Sequence, residues 1–584
     1  MSLQRFKSLI IKYLPLILVI LLASFLRLLW IDRVPIAIGG DELTYIINAK
    51  SLFLTGSDIS GTWNPLSGFI FRYPAYTLPQ AELPYILLAP LVGLTPLSLF
   101  DARITYSLFS ILTVVLIYFI AKELFNREVG FIAGIIAAIN PWMVYIGRTD
   151  YEASPAILFF LVGLYILLKA KKEKILISIP FLFLAFYSYI GTKLAFIPFV
   201  FIACLYSYLV VNKKLYLKYY LVVFLASFLL VGLFAASFLF KVSSSPSRLG
   251  EVLTPNDPSI VKQVDEIRKI TIQTPLTNIF ENKITMYLRI VITKLFKSLS
   301  ADYLFVSGDT FFSILRNGMF YILDAFFLLV GIAAVYSQKR KSFWFLLALV
   351  FISTFPQILH TADLGNMVFH LSLMFPFLVI LIALGIWEII NIFKNKYYFY
   401  GSIAITTLLY TFLLFNFLNI YFFQWTLQDN FDFHVRTFSK YVSLASKNQQ
   451  EVLIYSPSAP DIFKKYLFYT NSYNKDTYLT IRKIYKANKF NFGNLKFMGC
   501  DNTIDPTKTS DLIVYDFQCG NLKKDYSHLA ISRLSDGGQN YEIYNDKICS
   551  QYPLKLYPSG ITIGDFSIET MSASKFCETF VTSH

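Results

Sequence analysis

The stretch AELPYILLAPLVGLTPLSLF, residues 81–100, decides how this chain is arranged relative to a membrane. By length it is just able to cross a bilayer. If it crossed, the later clusters KAKKEK, NKKLYLK and SQKRKS would lie outside, although cytoplasmic loops are the ones enriched in Lys and Arg. Pro84, Pro90 and Pro96 also interrupt the stretch, and each removes a backbone donor from a helix. We therefore expect residues 81–100 to lie on, or dip into, the outer face of the membrane.

The composition around this stretch is that of a membrane protein. Of the 584 residues, 55% are hydrophobic and 15% are charged, whereas charged residues make up roughly a quarter of ordinary soluble domains. Apolar segments of spanning length recur up to about residue 422, and the hydropathy then falls. The pattern predicts a polytopic helical membrane protein with a cytoplasmic N-terminus and an outer C-terminus. Its eleven predicted spans lie near residues 8–30, 102–121, 129–147, 154–169, 175–191, 193–211, 218–240, 318–337, 343–359, 368–390 and 398–422.

The formal net charge of +15 follows the same topology. Most basic residues punctuate the apolar segments, as expected of cytoplasmic loops in a plasma or inner membrane protein. This distribution argues against nucleic acid as a partner and indicates the lipid bilayer as the partner instead. Neither G-x-x-x-x-G-K-[ST] nor G-x-G-x-x-G occurs, so no nucleotide-binding loop is predicted.

We divide the chain into a transmembrane domain, residues 1–422, and an extracytoplasmic domain, residues 423–584. Within the first, residues 31–101 form a first outer loop with juxtamembrane helices, and residues 241–317 form a long outer loop. The segment ITMYLRIVITKLFKSL in the long loop predicts an interfacial amphipathic helix. In the tail, EVLIYSP and DLIVYDF predict buried strands and PDIFKKYLFY a helix, which together indicate a small α/β domain.

Four of the five cysteines lie in the tail, at Cys500, Cys519, Cys549 and Cys577, whereas Cys204 lies in an apolar segment. No C-x-x-C pair suggests zinc, and four cysteines permit three pairings. One or two disulfides are expected if the tail is extracytoplasmic, with the pairing left open.

With this topology, several polar residues share the outer face. They are Asp41, Glu42, Arg72, Glu82, Arg103, Arg148, Asp150, Glu152, Tyr189, Lys193, His360 and His370. Each group has a structural alternative. Asp41 follows Gly39-Gly40 and is equally suited to cap a helix that has Glu42 in its first turn. The acids and Arg148 near residue 150 are equally suited to a salt bridge at a helix end, and the histidines to ordinary polar positions.

Acids and cations at one outer face, without a nucleotide loop, suit a reaction whose donor already stores its energy in a lipid phosphate. A polyprenyl-phosphate sugar is such a donor. Transfer needs a carboxylate to take the proton of the acceptor hydroxyl, and cations to stabilise the leaving phosphate. Asp41 suits the first role, and Arg148, Lys193 and His370 suit the second.

The chain resembles the GT-C glycosyltransferases, in particular the bacterial protein O-mannosyltransferase and aminoarabinose-transferase-like group, over most of residues 8–390. The similar motifs are GGDELTYIINAKSLFLTG, the block from YTLPQAELP to IGRTDYE, FYSYIGTKLAFIP, and SADYLFVSGDTFFSILRNGMFYILDAFFLLVGI. The resemblance implies a GT-C fold and an inverting transfer in which Asp41 is the catalytic base. It implies that Asp150 orients acceptor or sugar, that Arg103 organises the site, and that Arg148 and Lys193 meet the lipid phosphate.

Two departures from that family stand out. LPQAELP lacks the lysine that relatives carry before the Pro-rich helix, and His370 precedes Pro376 where many relatives have an arginine. Family members differ in metal dependence, so no cofactor is assigned, and Glu82 with a histidine is the candidate for a divalent metal. The resemblance does not reach the C-terminal domain, which leaves a protein, a lipid or a glycan as acceptor.

The main alternative function is a transporter or flippase of lipid-linked sugars. Such proteins often show internal repeats and polar residues near the membrane midplane. No repeat is evident here, and the one candidate for an acid near the middle of a span, Asp324, lies early in its span. A membrane anchor for the C-terminal domain would leave the polar outer loops unexplained. The sequence therefore favours a glycosyltransferase.

Overall fold

The computed structural model describes most of the chain. The described residues are 3–65, 80–239, 257–309, 314, 317–360, 365–425, 433–447, 451–520, 522, 526–532, 539–554 and 562–583. Arg72 and the first part of the long outer loop lie outside these ranges.

The N-terminal part is helical up to the end of the last apolar segment. Its first helices are α1 (Leu3–Leu28), α2 (Gly40–Thr55), α3 (Leu83–Leu94), α4 (Leu99–Leu124), α5 (Arg127–Ile139), α6 (Pro141–Ile146), α7 (Ala153–Lys169), α8 (Ser178–Ser188), α9 (Lys193–Tyr206) and α10 (Leu217–Leu239). The later ones are α11 (Pro258–Ile270), α12 (Thr277–Phe280), α13 (Lys283–Ser298), α14 (Ala301–Phe305), α15 (Ile322–Gln338), α16 (Arg340–Ile352), α17 (Phe355–Ile358), α18 (Val368–Leu371), α19 (Phe375–Asn391) and α20 (Lys396–Asn419).

Helices occupy all eleven segments predicted to span. Within the described ranges, six helical stretches are long and apolar enough to cross a membrane, and four apolar helices are shorter. The predicted span 129–147 is divided at Asn140, whose side chain caps the short α6 that starts at Pro141. The protein is thus an integral membrane protein with several apolar helices, and the count of eleven crossings stays a prediction.

The stretch 81–100 does not form one long helix. Its helix α3 has 12 residues, a rise of about 18 Å, which is short of the roughly 30 Å hydrocarbon core. The helix packs against α2, where a Cβ at Gly93 would lie only 2.1 Å from Phe53. The ammonium of Lys50 donates to the carbonyls of Val92, Gly93 and Thr95, which satisfies the end of α3. These contacts favour the predicted placement of residues 81–100 beside α2.

The amphipathic helix predicted in the long outer loop is confirmed as α13. Ile284, Leu288, Ile292 and Phe296 follow one another at four-residue spacing and are exposed, whereas Ile290 on the other side is buried. An exposed apolar stripe of this kind is typical of a helix that lies at a membrane surface.

The C-terminal region is a mixed α/β unit, as predicted. Its strands are β1 (Val452–Tyr455), β2 (Phe490–Phe492), β3 (Leu495–Met498), β4 (Leu512–Asp516), β5 (Leu529–Ser532), β6 (Gln539–Tyr544) and β7 (Val581–Ser583). Its helices are α21 (Phe433–Ser446), α22 (Ala459–Tyr469), α23 (Tyr478–Ala487) and α24 (Ala573–Phe580). The strand order is β2-β3-β1-β4-β6-β5-β7, with β1 parallel to both β3 and β4 and the other pairs antiparallel. The strands predicted from EVLIYSP and DLIVYDF are the parallel neighbours β1 and β4.

Two disulfides join the tail cysteines, Cys500 to Cys519 and Cys549 to Cys577, while Cys204 is free and buried. The buried apolar side chains form a large cluster among the membrane helices and a second one around the sheet. The second cluster includes Tyr45 of α2 and Leu88 of α3 together with Phe438 and Leu467 of the C-terminal region. The first outer loop and the C-terminal domain therefore share one apolar core.

Candidate active site

The N-terminus of α2 carries the two adjacent acids, and the structure separates their roles. Asp41 is exposed, whereas Glu42 is 3% exposed. The Glu42 carboxylate accepts the backbone N–H of Gly39 at 2.9 Å, so the cap of the helix comes from Glu42 and not from Asp41. Asp41 is thereby left at the surface, without a role in this cap.

The second oxygen of Glu42 links the two outer loops. It accepts the backbone N–H of Asp150 at 2.7 Å. Asp150 is fully buried, and among the described residues neither of its carboxylate oxygens has a hydrogen-bond partner. Burial raises the pKa of both carboxyl groups, and the negative charge of Glu42 raises that of Asp150 further. The N–H groups of Gly39 and Asp150 and the charge of Arg103 oppose the increase in the pKa of Glu42. When this pair of acids binds one proton, the proton therefore belongs on Asp150.

Arg103, near the start of α4, is bonded to the backbone of the first outer loop. It is fully buried, and its guanidinium donates to the carbonyls of Ile31, Pro35 and Ala37 at 2.7–3.0 Å. Its positive charge also acts on both Glu42 and Asp150. One side chain therefore fixes the backbone ahead of α2 and offsets the charge of the buried acids.

Arg148 is held in a similar way. It is fully buried, donates to the carbonyls of Leu26, Leu29 and Val34, and lies against the rings of Tyr421 and Phe422. A guanidinium committed to backbone carbonyls is poorly placed for the predicted contact with a lipid phosphate. The geometry favours a role in joining α1 to the second outer loop.

The predicted phosphate contact Lys193 lies in a second cluster with Glu82. Its ammonium is 3.5 Å from the Glu82 carboxylate, both side chains are buried, and it faces the rings of Phe186, Tyr187 and Phe234. Glu82 is thus paired with a cation, and within the described residues no three His, Cys, Asp or Glu side chains lie close enough to hold a metal ion. The suggested metal site of Glu82 with a histidine is not formed in this part of the chain.

The two histidines lie together beside this cluster. The rings of His360 and His370 are 4.5 Å apart, the ring of Tyr189 lies 6.2 Å from that of His370, and Nδ1 of His370 is 3.2 Å from Oε1 of Gln357. Lys294 of α13 donates to the carbonyl of His360. The backbone of one of these half-buried histidines thus accepts a hydrogen bond from a buried lysine of the amphipathic helix, a contact that the sequence did not reveal.

Acids of the first and second outer loops act on one buried tyrosine. Burial raises the pKa of Tyr85 on α3, and the charges of Glu152, Asp58, Glu82 and Asp41 raise it further. Tyr151 contacts the segment of the histidines, because its ring lies 4.0 Å from that of Phe369, next to His370. A common site for these residues stays a prediction, and Arg72 lies outside the described residues.

Sequence reasoning missed the side chains that the C-terminal domain adds to this region. Arg436 donates to the carbonyl of Ile36 at 2.8 Å, the Tyr469 hydroxyl accepts the N–H of Ile38 at 2.9 Å, and Lys464 donates to the Thr44 hydroxyl at 3.1 Å. Arg482 donates to the hydroxyls of Thr55 and Ser57. About 400 residues separate these partners in the chain, and no local pattern marks such a contact.

Asp150→Asn is predicted to stabilise the protein more at pH 8 than at pH 5. Because the pKa of Asp150 is raised in the folded state, the folded chain keeps a proton that the unfolded chain releases above about pH 3.9. The wild type therefore loses stability as the pH rises from that value towards the raised pKa, whereas asparagine carries no charge. Melting temperatures in detergent should differ by a few degrees at pH 8. A difference that does not depend on pH would contradict the protonated Asp150.

The apolar helices and the outer cluster of acids and cations define an integral membrane protein with a site at the first and second outer loops. Residues 87–237 match the family described as dolichyl-phosphate-mannose-protein mannosyltransferase. This match covers about a quarter of the chain and confirms the predicted enzyme class, a glycosyltransferase.

No curated protein matches the chain significantly. Among solved structures, ArnT from Cupriavidus metallidurans in the apo state is 10% identical, with a TM-score of 0.46 over 92% of this chain and 98% of that chain. The structure of the same ArnT protein bound to undecaprenyl phosphate is 11% identical, with a TM-score of 0.44 over 94% of this chain and 99% of that chain. The oligosaccharyltransferase of Archaeoglobus fulgidus in the apo form is 11% identical, with a TM-score of 0.45 over 92% of this chain and 75% of that chain.

Proposed function

We propose that the protein transfers a monosaccharide from a polyprenyl-phosphate donor to an acceptor hydroxyl on the outer face of the membrane, with Asp41 as general base. One observation carries the assignment of the base. Asp41 is exposed, whereas Glu42, Glu82 and Asp150 are all buried. A base must reach the acceptor hydroxyl, and of these four candidate acids Asp41 is the one that an acceptor can approach.

In this reaction Asp41 takes the proton of the acceptor hydroxyl as the oxygen attacks the anomeric carbon. The bond from that carbon to the phosphate oxygen breaks, and the lipid phosphate leaves with the bonding electrons from the opposite face of the sugar. The anomeric centre is therefore inverted. Asp150, protonated and fixed through Glu42, orients the groups around Asp41 and does not compete for the acceptor proton.

The developing charge on the phosphate requires cations. The candidates are Lys193 and His370. Tyr189 connects them, because its ring lies beside that of His370 and it immediately precedes the turn that leads to Lys193. Lys193 exchanges part of its interaction with Glu82 for the phosphate in this proposal. Arg148 takes no part in it, because its guanidinium is committed to backbone carbonyls.

Two features support the proposed polyprenyl-phosphate donor and the proposed orientation of the chain in the membrane. The family description names dolichyl-phosphate-mannose, a polyprenyl-phosphate sugar, as the donor of its members. The two disulfides of the tail suit an oxidising compartment, which supports a location of the C-terminal domain and the docked first loop outside the cytoplasm.

The donor assignment is tested with purified protein in liposomes. We expect the protein to release polyprenyl phosphate from a polyprenyl-phosphate monosaccharide in the presence of an acceptor, without any nucleotide sugar. Parallel reactions with a nucleotide sugar alone, and with a polyprenyl-diphosphate sugar, serve as controls. Transfer that requires the nucleotide sugar would refute the proposed function.

A further inference from the structure

Lys464 reaches the first outer loop from helix α22 of the C-terminal domain. It is 7% exposed, and its ammonium donates to the Thr44 hydroxyl at 3.1 Å. The Thr44 hydroxyl in turn donates to the carbonyl of Gly40 at 2.9 Å. Two consecutive hydrogen bonds therefore connect the C-terminal domain to the first turn of α2, the turn that carries Asp41.

Lys464 also lies on the side of α2 that Asp41 occupies. Asp41 and Thr44 are three residues apart, so their side chains share one face of the helix. Burial lowers the pKa of Lys464, while the charges of Asp461 and Asp41 act in the opposite direction. The side chain of Asp461 is 62% exposed and 3.4 Å away, so water screens much of its charge.

The groups that face Asp41 come from four elements. The charge of Asp41 acts on the ionisation of each of these groups. They are Glu42 and Tyr45 on α2, Tyr85 on α3, Tyr151 before α7, and Lys464 on α22. Burial keeps the three tyrosines neutral by raising the pKa of each hydroxyl. Lys464 is the one cation of these five groups.

We propose that Lys464 is a positioning residue for Asp41, which holds the first turn of α2 through Thr44 and thereby fixes the position of the Asp41 carboxylate. The inference rests on the proposed function, in which Asp41 is the base. It assigns the C-terminal domain a direct part in catalysis. A buried ammonium is costly unless it is paired, and the partners on α2 supply that pairing.

The test uses the full-length protein in liposomes and measures kcat and KM for donor consumption. In Lys464→Met we expect kcat to fall several-fold with KM unchanged, because the first turn of α2 loses its hydrogen-bonded connection to the C-terminal domain. Lys464→Arg keeps a charged donor and should restore most of kcat. Lys483→Met, which removes an exposed lysine of the neighbouring helix α23, should match the wild type.

Each outcome decides a different point. A kcat of Lys464→Met equal to that of the wild type would overturn the positioning role, and so would a loss that Lys464→Arg does not restore. Thr44→Val breaks the same connection, so it should lower kcat to a similar extent, and this variant serves if Lys464→Met does not fold. Retained transfer in Asp41→Asn would instead refute the proposed function, which separates the two failures.

Discussion

Asp41→Asn is expected to lower the rate of sugar transfer by about 10²–10⁴-fold, the usual contribution of a general base. Asparagine has the same shape but cannot accept the proton of the acceptor hydroxyl. The helix start should survive, because Glu42 and not Asp41 accepts the N–H of Gly39. The measurement is the initial rate of polyprenyl-phosphate release in liposomes at matched protein density.

Asp32→Asn is the matched control, since Asp32 is another exposed carboxylate of the first outer loop. It should leave the rate within twofold of the wild type. The melting temperature of Asp41→Asn should also match that of the wild type, which shows that the variant is folded. An Asp41→Asn protein with the wild-type rate would rule out Asp41 as the base.

Arg103→Met is expected to destabilise the protein by about 3–5 kcal/mol and to abolish transfer. The guanidinium supplies hydrogen bonds to three carbonyls of the loop ahead of α2 and the positive charge that offsets Glu42 and Asp150. Methionine has similar length but leaves the carbonyls unpaired and the acids without their cation. Thermal unfolding in detergent, followed by the transfer assay on the surviving folded fraction, measures both effects.

Arg103→Lys separates the effect of charge from that of geometry, because lysine keeps the charge but cannot reach all three carbonyls. The stability of this variant should lie between those of the wild type and Arg103→Met. Arg127→Met replaces an exposed arginine at the start of α5 and should change the stability by no more than about 0.5 kcal/mol. If Arg103→Met melted with the wild type, the loop would be held by other contacts and the assigned role would be wrong.

The sequence predicted the helices well because apolar length and periodicity are local properties. All eleven predicted spans coincide with helices, and the short α3 agrees with the placement of residues 81–100 outside the spans. The strands β1 and β4 and the helix α13 were likewise visible as apolar segments. In each case the burial of neighbouring residues is enough to determine the element.

The site was predicted in composition but not in arrangement. Asp41, Glu42 and Asp150 were selected as residue types that suit the chemistry, and a helix cap by Asp41 was the alternative to a catalytic role. The structure assigns the cap to Glu42, which is long enough to reach back to Gly39 while its other oxygen meets Asp150. Such a choice depends on which side chain faces the second loop, and no local pattern records it.

By itself, the sequence determined that this protein is a polytopic membrane protein with acids and cations on its outer loops and an α/β tail. The hydrophobic effect and the distribution of charged loops act on residue types over short segments, so they can be read without a fold. Only the tertiary structure decided which of those groups are exposed, that Arg148 bonds backbone carbonyls, and that Lys464 reaches the turn of Asp41. Burial and hydrogen-bond partners depend on chain segments that are hundreds of residues apart, and the folded chain alone brings them together.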